Sequence, residues 1–101
     1  MKLAVFSVFD KAVGAYLQPF FSRSRGEAVR SFTDAANNKE HQFFQHGLDY
    51  VLVYLGEFDD VSGLFATREP TRLLSASEVK VEDKDIPFAQ ADVPVKRRLP
   101  M

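Results

Sequence analysis

The chain has 101 residues, of which 46% are hydrophobic, and a formal net charge of −1. This length predicts one domain or one domain with a tail, and the balanced charge argues against avid binding to duplex DNA, which needs many Lys and Arg side chains. The absence of Cys excludes disulfides, thiolate metal sites and Cys nucleophiles. Because we find neither a signal-peptide pattern nor an apolar run of membrane-spanning length, we expect a cytoplasmic protein without membrane contact.

A short phrase, F-D-x-x-x-G, occurs twice, at residues 9–14 and 58–63. In such a phrase Asp begins a turn, and Gly adopts the positive φ that allows the next strand to start. The first copy joins a strand at 2–9, apolar on both faces and therefore central in a sheet, to a return strand at 15–21. Pro19 cannot donate to a strand ladder, so the return strand should lie at an edge or break there.

The next segment predicts one amphipathic helix. Ser24-Arg25-Gly26-Glu27 has the pattern of a capping box, in which Ser24 accepts from an early helical N–H and Glu27 reaches back. An apolar stripe follows and continues the helix to about Asn37; it consists of Ala28, Val29, Phe32, Ala35 and Ala36. Residues 40–46 are ambiguous and predict at most one helical turn, closed by Gly47.

The second hairpin is predicted from a strong strand at 49–58, the turn at 59–63 and a short strand at 64–67. The expected fold is therefore α+β, in the order ββαββ: two β-hairpins form an antiparallel sheet with one amphipathic helix across one face. We expect a single domain over residues 1–76. Residues 77–101 are charged and contain Pro, which predicts an extended tail that is partly disordered or ordered by a partner.

No catalytic or metal-binding constellation is present in the sequence. The acidic residues at 57, 59 and 60 are explained by the turn, and His41 and His46 are five residues apart, which does not place two imidazoles on one helical face. The chain also lacks a nucleophile elbow and a Gly-rich phosphate loop. We therefore expect no enzymatic activity, no metal and no cofactor.

Arginines around the predicted helix start lie next to aromatic residues of the return strand, an arrangement typical of single-stranded DNA binding. A basic triplet near the chain end adds a further phosphate contact or only aids solubility. The alternative explanation is that the arginines solvate the surface while the aromatics fill the core. The candidate nucleic-acid-binding residues are Arg23, Arg25, Arg30, Tyr16, Phe20, Lys96, Arg97 and Arg98.

Several stretches in combination carry a family resemblance: residues 1–3, 9–10, 17–21, 28–35 and 55–60, with Gly63. Over residues 1–76 the chain resembles the small nonstructural protein of gokushovirus-type microviruses, which are phages with single-stranded DNA genomes. The resemblance implies an accessory role in viral single-stranded DNA synthesis in the host cytoplasm, with no enzymatic activity or cofactor. The chain departs from the family pattern at His46-Gly47, where His-Pro is expected.

Two functions remain open from the sequence. The first is a replication accessory that binds single-stranded DNA weakly through the arginine–aromatic surface. The second is a protein-interaction module that docks on a viral or host replication protein without nucleic acid. In either case unpaired sheet edges and the many Phe side chains favour a homo-oligomer.

Overall fold

The structure, a computed structural model, describes residues 1–81 together with the backbone at 96–97 and 99–100. Residues 1–81 form an open, antiparallel, five-stranded sheet and three helices, which confirms the α+β class. The elements are β1 Lys2–Asp10, β2 Ala15–Tyr16, β3 Phe20–Ser22, α1 Arg25–Ala36, α2 Gln42–Gln45, β4 Tyr50–Asp59, β5 Phe65–Ser75 and α3 Ala76–Val79. Two further strands, β6 Lys96–Arg97 and β7 Leu99–Pro100, pair with each other.

The sheet is built around β1 and β4, which pair along almost their whole length. Strand β5 lies on the outer side of β4, while β2 and β3 share the outer side of β1. The prediction of a central first strand is therefore confirmed. Pro19 falls between β2 and β3, so the return strand lies at an edge and is also interrupted there, because Pro has no N–H for the ladder.

Both copies of the repeated phrase form the predicted turn. Gly14 and Gly63 have φ of 77° and 76°, and their N–H groups donate to the carbonyls of Asp10 and Asp59, respectively, each at 2.8 Å. Oδ1 of Asp10 accepts from the N–H of Ala12, and Oδ1 of Asp59 accepts from the N–H of Val61. The same local chemistry therefore closes both hairpins.

Helix α1 covers one face of the sheet. Ser24 Oγ accepts from the N–H of Glu27 at 3.1 Å, as predicted, whereas the Glu27 carboxylate reaches one residue further back and accepts from the N–H of Arg23. The apolar stripe packs on inward-facing residues of β1 and β4, and α2 and α3 complete the same layer. The buried cluster comprises Phe6, Val8, Ala28, Phe32, Ala36, Phe43, Tyr50, Leu52 and Ala76.

The region after residue 64 differs from the prediction. Strand β5 continues to Ser75 rather than ending at residue 67, because shifts in its register with β4 accommodate Pro70 on the open edge. A short helix, α3, then begins where the Glu78 carboxylate accepts from the N–H of Ser75. The predicted boundary after residue 76 thus falls inside α3, and the first residues of the predicted tail belong to the folded body.

Hydrogen bonds to Asn37 and Gly47 hold the end of this body. Nδ2 of Asn37 donates to the carbonyl of Val79 at 3.0 Å, and its Oδ1 accepts from the N–H of Val81 at 2.7 Å. The carbonyl of Gly47 accepts from the N–H of Ser77 at 3.1 Å, and a Cβ at Gly47 would lie 3.4 Å from that nitrogen. Gly47 therefore lies directly against α3.

Candidate functional site

Two arginines from separate elements converge on one aromatic ring. Arg25 opens α1, and its Cζ lies 5.5 Å from the ring centroid of Tyr54 in β4. The Cζ of Arg68 in β5 lies 5.9 Å from the same centroid. Both distances are within the range of a cation–π contact. We call Arg25, Tyr54 and Arg68 the arginine–tyrosine cluster.

An irregularity in the β4–β5 pairing places Arg68 in this cluster. Tyr54 pairs with Thr71 and Gly56 with Thr67, so residues 68–70 of β5 lie opposite Leu55 alone. Gly56 has φ of 141°, and a Cβ there would overlap the carbonyl oxygen of Ala66. Only Gly fits so close an approach, and the resulting bulge redirects the side chains that follow it.

The Tyr54 ring is supported by a row of aromatics on the helix-covered face. Its centroid lies 5.5 Å from that of Phe6, which in turn stacks on Phe20 at 5.8 Å. Phe20 is half-buried against the core. The predicted role of Phe20 as an exposed stacking platform therefore lacks geometric support, and the row instead holds Tyr54 in place beneath the arginines.

The electrostatic environment distinguishes these arginines from Arg23. Arg23 Nη2 lies 2.8 Å from Glu27 Oε2, and this bond, followed by the bond from the Arg23 N–H, lowers the pKa of Glu27. Within residues 1–81 no carboxylate forms an ion pair with Arg25 or Arg68. Gly26 follows Arg25 in the first turn of α1, where backbone N–H groups favour anions, and the same turn carries Glu27, whose carboxylate accepts from the N–H of Arg23.

The other predicted site residues do not join this cluster. Arg30 is exposed on α1, on the side away from the buried Ala28 and Phe32. Tyr16 pairs with Phe9 and packs on its ring at 4.8 Å, on the sheet face opposite α1. The side chains of Lys96, Arg97 and Arg98 lie outside the described residues.

Sequence reasoning misses two of the three cluster residues, Tyr54 and Arg68. The sequence places Tyr54 only on one face of a strand, and Arg68 lies beyond the predicted end of the short strand 64–67. The signal that could have found them is Gly56 within an otherwise continuous strand, since an isolated Gly in a strand often marks a bulge. Pro70, two residues after Arg68, is a second sign of irregular pairing at an edge.

The opposite face of the sheet carries an aromatic surface of a different kind. Phe21 of β3 stacks on Phe58 of β4, with centroids 5.3 Å apart and planes 9° apart, and Phe58 contacts Phe65 of β5 at 4.7 Å. We call these three residues the phenylalanine band. It borders a groove of about 370 Å³, which has Val5 and Gly56 among its lining residues.

Residues 1–81 show neither a metal centre nor a membrane-spanning element. No group of three His, Asp or Glu side chains in these residues is arranged to hold a metal ion. No helix in this part of the chain has both the length and the apolar character needed to cross a bilayer.

The geometry therefore defines a small α+β protein with a basic cluster on one face and an aromatic band on the other. Residues 3–79 match the family model described as Phage ORF5 protein. The match covers more than half of the chain, and the chain belongs to this family of phage proteins. No curated protein and no solved structure matches it.

Proposed function

We propose that this phage protein is a non-enzymatic accessory of DNA replication that binds single-stranded DNA weakly, with phosphates held at the arginine–tyrosine cluster. The observation that carries the proposal is the convergence of Arg25 and Arg68 on Tyr54 with no carboxylate pairing either of them in residues 1–81. The resemblance to the gokushovirus-type nonstructural protein suggests the biological setting, which is synthesis of the single-stranded genome in the host cytoplasm.

The cluster suits a phosphate better than a base. A guanidinium group donates paired hydrogen bonds to phosphate oxygens. Two guanidinium groups that project from different elements can bind one phosphate or two successive phosphates. The Tyr54 ring is already in contact with Phe6, Arg25 and Arg68, so little of its surface remains for stacking a base. Binding through this cluster is therefore expected to show little sequence preference.

The proposal also fixes the expected strength and salt dependence. A site with two phosphate contacts releases few counterions, and each contact contributes about 0.7 to the slope of log K against log salt for single strands. We therefore expect weak binding with a slope of about −1.4. This binding should disappear near physiological salt unless several copies bind one strand.

A titration of a fluorescein-labelled oligothymidylate of about 30 nucleotides, followed by anisotropy at several salt concentrations, tests the proposal. The double variant Arg25→Gln/Arg68→Gln is expected to lose at least about 10-fold in affinity at low salt and to flatten the slope. The charge-matched control is Lys11→Gln/Lys39→Gln, which changes two exposed lysines outside the cluster. Absence of binding at low salt, or equal losses in both variants, would contradict the proposal.

A protein-docking module is the second candidate, and the phenylalanine band favours it. A viral or host replication protein that docks there would require neither arginine. In that case the double variant would retain its partner after nuclease treatment, whereas a polar substitution at Phe21 would release it.

A further inference from the structure

We infer that the arginine–tyrosine cluster binds the terminal phosphate of a single strand, a phosphomonoester dianion, in preference to the phosphodiester monoanions inside the strand. Because it names the part of the strand that the same site takes, this preference rests on the proposed function. The observation behind it is the distribution of arginine charge over residues 1–81.

The arginine charge that no carboxylate pairs is concentrated in the cluster. The arginines of residues 1–81 are Arg23, Arg25, Arg30, Arg68 and Arg72. Arg23 is paired with Glu27, and Nη2 of Arg72 lies 2.7 Å from Oε2 of Glu78. Arg30 is exposed on α1 and does not join the cluster. The convergence of Arg25 and Arg68 on one ring therefore creates a single point with two positive charges.

The surroundings of the cluster do not extend this charge along a strand. A run of phosphates needs further cations in line with the first ones. On the α1 side the neighbouring Arg23–Glu27 pair is neutral, and on the β5 side the exposed Glu69 directly follows Arg68. Within residues 1–81, phosphates that flank the bound one therefore find no adjacent unpaired arginine to neutralise them.

A terminal phosphate matches such a concentrated charge. At pH 7 it carries a charge of about −1.5 to −2 and presents three acceptor oxygens. An internal phosphodiester carries one negative charge and presents two such oxygens. Because each guanidinium group donates paired hydrogen bonds, three oxygens satisfy two of these groups with less sharing than two oxygens do. The additional charge of the dianion also interacts with both arginines at once.

The Tyr54 ring brings the two arginines together before an anion arrives. The Cζ atoms of Arg25 and Arg68 lie 5.5 and 5.9 Å from its centroid, so they cannot be further apart than these two distances combined. Both side chains are exposed, and rotamer changes within this span can direct both guanidinium groups at one phosphate. Collecting the cations on the ring reduces the entropy that binding would otherwise cost.

Three oligothymidylates of about 8 nucleotides, labelled with fluorescein at the 3′ end, test the preference by anisotropy at low salt. The first ends in a 5′-hydroxyl and the second in a 5′-phosphate. The third ends in the methyl ester of a 5′-phosphate, which occupies the same position with one negative charge. The phosphorylated strand should bind about 5-fold more tightly than the hydroxyl strand, because its dianion pairs with two exposed arginines. The methyl ester should bind within about 2-fold of the hydroxyl strand.

The arginine variant and its control show whether the cluster causes the preference. Arg25→Gln/Arg68→Gln should bind the three strands with equal affinity, whereas the charge-matched control Lys11→Gln/Lys39→Gln should keep the preference. A preference that survives in the arginine variant overturns the inference. So does a methyl ester that binds as tightly as the phosphorylated strand, or inorganic phosphate that competes as strongly as that strand does.

Failure of the inference can be told apart from failure of the proposed function. Equal affinity of the unmodified protein for all three strands overturns the inference and leaves the proposed function standing, because the strands still bind. Absence of binding to all three also overturns the inference. In that case the longer strand described above decides the proposed function separately.

Phosphorus NMR remains informative if the arginine variant does not fold. The monoester and diester phosphorus atoms of the phosphorylated strand have separate resonances. Addition of the unmodified protein should shift or broaden the monoester resonance more than the diester resonances. Equal changes in both kinds of resonance, or a change in the diester resonances alone, overturn the inference.

Discussion

At the scale of single residues, Gly56 determines where Arg68 lies. Its φ of 141° and the close approach of the Ala66 carbonyl oxygen leave no space for a side chain. Any substitution must move the β5 backbone, from which Arg68 projects two residues after Ala66. One residue without a side chain thus links the sheet pairing to the arginine–tyrosine cluster.

Gly56→Ala is expected to lower the free energy of unfolding by about 2 to 4 kcal/mol, because the backbone is strained and the contact is too close. Urea denaturation followed by circular dichroism measures this loss. Gly26→Ala is the matched control: Gly26 is helical, with its nearest neighbour 3.9 Å from the added Cβ, and should change stability by at most about 1 kcal/mol, in the stabilising direction. Equal effects of the two substitutions would show that a side chain at position 56 is tolerated and causes no such strain.

At the scale of elements, the start of α1 carries a carboxylate whose ionised form is favoured in the folded state. The Arg23 guanidinium, then the Arg23 N–H, lower the pKa of Glu27 below its ordinary value of 4.5. The unfolded chain therefore binds this proton at higher pH than the folded chain. The contribution of Glu27 to stability is present above pH 4.5 and is lost as pH falls through the lower pKa of the folded state.

The substitution Glu27→Gln tests this linkage. The unmodified protein should lose thermal stability as pH falls below about 5. The Glu27→Gln variant should show a shallower decline over the same pH range, because one linked proton is absent. Arg23→Gln removes the first cause of the lowered pKa and should flatten the profile in the same direction but less, since the backbone bond remains. Profiles of unchanged slope in both variants would refute the assignment.

The elements also show which features a sequence can predict. The twin turns were predictable because Asp10 and Gly14, and likewise Asp59 and Gly63, act on their own backbone within five residues. The start of α1 at Ser24 was predictable for the same reason. The length of β5 was not, because its pairing depends on the bulge opposite Leu55.

In the candidate site, too, some residues are placed by local sequence and others only by pairing between distant segments. Arg25 could be identified because it lies at a helix start that can be read locally. Its neighbours Tyr54 and Arg68 are 29 and 43 positions further along the chain, and only the irregular β4–β5 pairing brings them to it. The phenylalanine band was hidden similarly, since strand alternation does not reveal which face the helices leave open.

At the scale of the whole molecule, one side chain joins the helix layer to the end of the folded body. Asn37 follows α1, donates to the carbonyls of Thr33 and Val79, and accepts from the N–H of Val81, 44 positions later. Nearby, Lys80 Nζ donates to the carbonyl of Phe44 at 3.0 Å and lies 4.0 Å from the centroid of its ring. Residues 77–81 are thus held by polar contacts to the α1 end and to α2.

Asn37→Ala is expected to cost about 2 to 3 kcal/mol, because Val79 and Val81 each lose a partner for a backbone group. Hydrogen exchange should accelerate in residues 77–81 more than in β1 or β4, because the loss loosens the end of the body before it affects the sheet. Asn38→Ala is the matched control, since Asn38 is exposed and its side chain accepts only locally, from the N–H of Glu40. Uniform acceleration across the sheet, or an equal effect of Asn38→Ala, would mean that Asn37 does not specifically secure this end of the molecule.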